Sequence, residues 1–216
     1  MICFSPRVCV FVLLIAISPA SSQSSNRQVI SWQPSPLIKE TAMPNASVSK
    51  NFVVELHVSG LKVVLEETKL TDVQALFGGT IGQRGDAAES LEWLCYQVSD
   101  GGSSSVLWLM SAEIDGGAVG GFQWIEVSES QQIDKRCQKL PAGGVRLPRN
   151  LRLGMKASLI VQEFGKPTRQ DGNRLEYVHE EQLRIRNEPY TEINTLHLLL
   201  RDKIVRGVEV WMSTTS

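Results

Sequence analysis

The sequence predicts an α+β protein of two tandem units, each a short helix packed on a three-stranded antiparallel meander. Three observations lead there. Two apolar stripes run at helical spacing and stop at glycine: Val73, Leu76 and Phe77 before Gly78-Gly79, and Ile160, Val161 and Phe164 before Gly165 and Pro167. Each stripe is followed by three segments rich in β-branched and aromatic residues, which favour strands. Finally, Phe77-Gly78 and Phe164-Gly165, Asp115 and Asp202, Gly120 and Gly207, and Trp124 and Trp211 all share an offset of 87 positions. A common offset across separate segments points to duplication.

The elements follow in chain order. Residues 1–22 carry one charge, Arg7, an apolar run from Val8 to Ile17 and then small residues, which reads as a secretory signal peptide cleaved after Ala20 or Ser22. The run is shorter than the roughly 20 residues a spanning helix needs. No lipid-attachment cysteine closes it, so no membrane insertion is expected after cleavage, and the location is periplasmic or secreted. Residues 23–52 are polar and proline-bearing and read as irregular, before an extended stretch FVVELHV.

The first unit covers 53–127. Its strands are LEWLCYQV (91–98), SVLWLMSAEID (105–115) and GFQWIEV (121–127), and DGGAVGG is a hairpin link. Residues 128–150, rich in charge, Pro and Gly, read as a linker. The second unit covers 151–216, with strands RLEYVHEEQ (174–182), NTLHLLLRD (194–202) and RGVEVWMS (206–213). Matching LEWLCYQV to LEYVHEEQ places Trp93 opposite Tyr177 in the repeat.

Removing the leader leaves two cysteines, Cys95 and Cys137, in an oxidising compartment, so a single disulfide between them is expected. The formal net charge of −1 excludes nucleic acid as the obvious partner. That balance hides a division: Gln23–Ile133 holds 6 Lys/Arg and 13 Asp/Glu, whereas Asp134 onward holds 15 and 10. Two poles of opposite sign can orient a partner.

No constellation for catalysis stands out. His57, His179 and His197 lack metal-ligand spacing, so no metal and no cofactor are expected, and DGGAVGG joins two strands where a phosphate cradle would need a helix N-terminus. Glu180 and Glu181 are adjacent on a strand and point to opposite faces.

The aromatics carry the functional expectation. In VRGVEVWM, Val208, Val210 and Met212 should face the helix, leaving Trp211 and Glu209 on an open sheet face, with Trp124 joining them by its equivalent position.

LRLGMKASLIVQEFGKPTRQDGNRLEYVHEE (151–181) resembles the SmpA/BamE-like family of small exported domains in its Gly154-Met155, Ile160, Gly165 and Pro167 pattern. In the first unit Glu67 and Thr68 replace Gly-Met, and Lys156 stands where the family carries a capping Ser or Thr. The tandem layout is similar to β-lactamase inhibitory protein-like members of that group.

The resemblance implies binding to another protein without catalysis, as an inhibitor or immunity-type factor. The alternative is a soluble envelope-assembly or scaffold factor. It further implies contact loops after the first strand of each meander, which places Asp100 and Tyr190 at tips.

Overall fold

Alternation of β-branched or aromatic residues with polar ones makes most of this chain strand. The computed structural model describes residues 27–37, 53–86, 89–100 and 102–216. Its strands are β1 (Gln28–Ile30), β2 (Glu55–Val58), β3 (Leu61–Val64), β4 (Gly82–Arg84), β5 (Leu91–Asp100), β6 (Ser103–Ala112), β7 (Gly121–Val127), β8 (Gln131–Ile133), β9 (Gln138–Lys139), β10 (Val145–Arg146), β11 (Arg169–Asp171), β12 (Arg174–Ile185), β13 (Glu188–Arg201) and β14 (Ile204–Thr215). The helices are α1 (Leu70–Phe77) and α2 (Ala157–Phe164). The signal-peptide reading of residues 1–22 and much of the segment 23–52 lie outside the described residues. Among the described residues no helix is long and apolar enough to cross a membrane.

The expectation of two tandem helix-and-meander units is overturned. The fold is mostly β, and both meanders merge into one nine-stranded sheet of order β11-β12-β13-β14-β7-β6-β5-β4, with β9 pairing beside β5. The join is antiparallel, Gly207–Trp211 against Gly121–Ile125. A three-stranded meander standing alone would leave unpaired N–H and C=O groups along its last strand; pairing β14 with β7 satisfies both rows. A second sheet, β10-β2-β3, and a parallel pair, β1-β8, complete the described strands. The segment 128–150 thus contributes three short strands, β8, β9 and β10, each paired to a different partner.

Both helices begin without a side-chain cap, at Lys69 and Lys156. Their first amides are satisfied from a distance: Leu70 N donates to Gly117 O at 3.0 Å, and Ala157 N to Lys203 O at 2.8 Å. Each helix ends at a glycine with positive φ, Gly78 at 71° and Gly165 at 83°. A sheet tyrosine then ties the end down, Tyr96 Oη donating to Gly78 O (3.0 Å) and Tyr177 Oη to Gly165 O (3.1 Å). Burial pushes both phenols up, Tyr177 to about 12.

These two bonds correct the expected alignment of Trp93 with Tyr177. The counterpart of Tyr177 is Tyr96; Trp93 points to the opposite side of the sheet, because a one-residue change of phase flips every side chain. Leu94, Tyr96, Val98, Leu107, Leu109, Phe122, Trp124, Leu196, Leu198, Val208 and Val210 pack toward the helices in the main core. Trp93, Cys95, Val106, Trp108, Met110 and Cys137 form a second core on the far face.

Candidate functional site: the sheet face opposite the helices

Directly opposed residues on neighbouring strands share a face, so strand register places every far-face side chain. One row runs Glu176, His197, Glu209, Gln123, Trp108, Cys95 across β12 to β5. The next row runs Thr195, Trp211, Gly121, Met110, Trp93, Gly82.

This face is not bare, contrary to expectation. Residues 28–37 lie across it: Trp108 Nε1 donates to Trp32 O (2.9 Å), Gln123 Nε2 to Ser35 O (2.6 Å), and Leu37 N to Glu209 Oε2 (2.8 Å). Trp32 meets Trp93 edge-on at 5.1 Å, and the Arg136 guanidinium stacks 4.6 Å from the Trp32 ring. Arg136 also binds Asp134 through both carboxylate oxygens and holds that carboxyl down at about 2. The disulfide Cys95–Cys137 is formed, with both cysteines buried, and fastens the segment after β8 to β5 beneath this layer.

Glu209 and Trp211 occupy the far face together. The Glu209 carboxylate is buried yet served by two donors, Leu37 N and Gln123 Nε2, each at 2.8 Å, and its other oxygen lies 3.4 Å from His197 Nδ1. His197 Nε2 lies 3.6 Å from Glu176. Trp211 is half-buried. Its indole lies over Gly121, where a Cβ would sit 2.6 Å from Trp211 Cδ2 and Cε3. Only a residue without a side chain permits that approach. Thr195 stands opposite Trp211, with the Ile193 and Ser213 pair one row beyond.

Trp124 does not join them. It is buried on the helix side, and its Nε1 donates to Ser105 Oγ at 2.9 Å. The reason is strand phase: Val119 N donates to Thr68 O and Val205 N to Met155 O, so these last strands correspond at an offset of 86 (205 minus 119), and the counterpart of Trp124 is Val210, which faces the helices, with Trp211 one residue out of phase.

The two tips are also apart. Asp100, exposed at the end of β5, and Tyr190, half-buried opposite Leu183, project from opposite ends of the sheet, because the antiparallel join inverts the second meander relative to the first. A polar cleft of about 830 Å³ opens at the Asp100 end, lined by Gln97, Ser104, Glu126, Arg201 and Arg206 among others. The Arg206 guanidinium there binds Glu126. Among the described residues no group of three or more His, Cys, Asp or Glu is placed to hold a metal ion.

Gly121, Gln123, Thr195 and Ile193 are the site residues missed from sequence. A glycine inside an aromatic strand pattern is the one signal that could have found Gly121, since it marks close approach of another group. Comparison with protein-family models, with curated proteins and with solved structures finds no match.

Proposed function

We propose that the chain is an exported, non-enzymatic protein-binding module, of inhibitor or immunity type, that takes its partner on the Trp211 strip of the far face. The observation that carries this reading is the Trp211 indole laid over Gly121 while still partly open to solvent. A tryptophan held in one pose and already half desolvated is the kind of anchor that dominates interface energetics, because little side-chain freedom is lost on docking. Thr195, Ile193 and Ser213 around it mix apolar and hydroxyl surface, which suits a protein partner.

The test is capture of the partner on immobilised mature protein, identification by mass spectrometry, and titration of the purified pair by calorimetry. Trp211→Ala should weaken binding by about 30-fold or more, the size of a hot-spot loss of about 2 kcal/mol. Tyr190→Ala, on the other face, should leave affinity unchanged. Full affinity in the Trp211→Ala variant ends this reading.

A further inference from the structure

The outer edge of β12 is paired only at its start, where β11 takes Arg174–Glu176. The next outward amide, Val178 N, donates to Thr168 Oγ1 at 3.0 Å. Because backbone groups alternate along a strand, Glu180, Gln182 and Arg184 point their N–H and C=O groups the same way. All three residues are exposed, and among the described residues no strand pairs with them on that side. β12 pairs with β13 without a bulge along its whole length, so this edge is straight and unprotected by a kink or a proline.

We propose that this edge is where a second copy of the chain docks, β12 against β12 in antiparallel register centred on Gln182. The run Glu180-Glu181-Gln182-Leu183-Arg184 is self-complementary in that register. Gln182 falls opposite Gln182 of the second copy, and Glu180 falls opposite its Arg184 twice over, by symmetry. Glu180 and Arg184 make no ion pair within their own copy among the described residues, so both are free to form these.

The hydrogen-bonding parity also agrees. The outward-pointing residues 180, 182 and 184 meet one another as directly bonded pairs, giving about six backbone hydrogen bonds, and the ladder is bounded by Thr168 at one end and the Arg186-Asn187 turn at the other. Sliding the register by two residues one way sets Glu180 against Gln182; the other way sets Gln182 against Arg184 and leaves Glu180 facing Arg186, which lies in the turn beyond the strand, so neither slide keeps the two ion pairs between strand residues. An isologous contact of this kind closes on itself as a dimer.

The two-fold axis of an antiparallel strand pair is perpendicular to the sheet, so both far faces look the same way. The dimer inference rests on the strand edge alone and is independent of what Trp211 binds. If both hold, a dimer presents two Trp211 strips to one surface and gains avidity.

Sedimentation equilibrium over about a hundredfold range of protein concentration tests it. The wild-type chain should pass from monomer to dimer. Arg184→Glu should weaken the dimer by about tenfold or more, since two attractive pairs become two repulsive ones, and Glu180→Arg combined with Arg184→Glu should restore it. Gln182→Pro should abolish dimerisation with the thermal melt retained. Should that variant fail to fold, Gln182→Cys replaces it, and should form an inter-copy disulfide visible on a non-reducing gel. A monomer at every concentration, a dimer indifferent to Gln182→Pro, or a charge swap that fails to rescue overturns the proposal.

Discussion

Opening the Cys95–Cys137 bridge should lower the stability of the fold by releasing a closed loop in the unfolded chain. The bond joins residues 42 positions apart, and closing a loop of that length removes chain entropy from the unfolded state equivalent to about 4 kcal/mol at room temperature. Both cysteines are buried against Trp93, Trp108 and Val106, so the native contacts around the sulfurs persist when the bond is cut. The loss therefore falls mainly on the unfolded-state side of the balance.

For a chain of this size about 4 kcal/mol corresponds to a fall of about 8–16 °C in melting temperature. The assay compares calorimetric melts of the oxidised protein, the protein reduced in denaturant and refolded with its thiols blocked from reoxidation, and the Cys95→Ala/Cys137→Ala variant. Reduction should also speed amide exchange in β9 and at Trp32, which share the tethered layer. Oxidised and reduced melts within about 2 °C of one another, a gap equivalent to less than about 1 kcal/mol, would refute the loop-closure argument.

Three further outcomes follow from named contacts. Glu209→Ala leaves the amide of Leu37 without its acceptor and takes one of the two acceptors of Gln123 Nε2, and should cost about 1–3 kcal/mol in urea unfolding while hastening exchange of the Leu37 amide; Glu209→Gln, which keeps an oxygen acceptor, should cost less. Gly121→Ala forces a Cβ against the Trp211 indole and Val210 O and should cost about 1–3 kcal/mol, with a shift in tryptophan emission. Asp115 is raised to about 6, first by burial and then by the nearby Glu66 charge, with the Ala112 amide pulling the other way. Its folded form holds a proton that the unfolded chain releases near 4, so stability should fall as pH rises from about 4 to about 6 and then level off; Asp115→Asn should remove that slope, and a carbon NMR titration of the Asp115 carboxyl should find the midpoint.

Features of local period are legible along the chain. The stripe Val73-Leu76-Phe77 and its counterpart Ile160-Val161-Phe164 became α1 and α2, with their glycine stops in place, because helix spacing and a left-handed terminus are properties of a few consecutive residues. The six long strands lie where aromatic and β-branched residues alternate, and Val208 and Val210 face the helices as their alternation requires. The Cys95–Cys137 bridge is the pairing expected once Cys3 and Cys9, of the four cysteines, are set aside with the N-terminal apolar run.

How the two meanders meet is set by contacts between residues far apart in the chain. The β14–β7 join turns what looked like two modules into one sheet, inverts the second meander and sends Asp100 and Tyr190 to opposite ends. No pattern along the chain encodes that register, since period-2 alternation is compatible with pairing at either phase and a one-residue slip exchanges the faces. The layer of residues 28–37 over Trp108, Gln123 and Glu209 was equally hidden, because its hydrogen bonds are to its own backbone groups, which every residue carries alike.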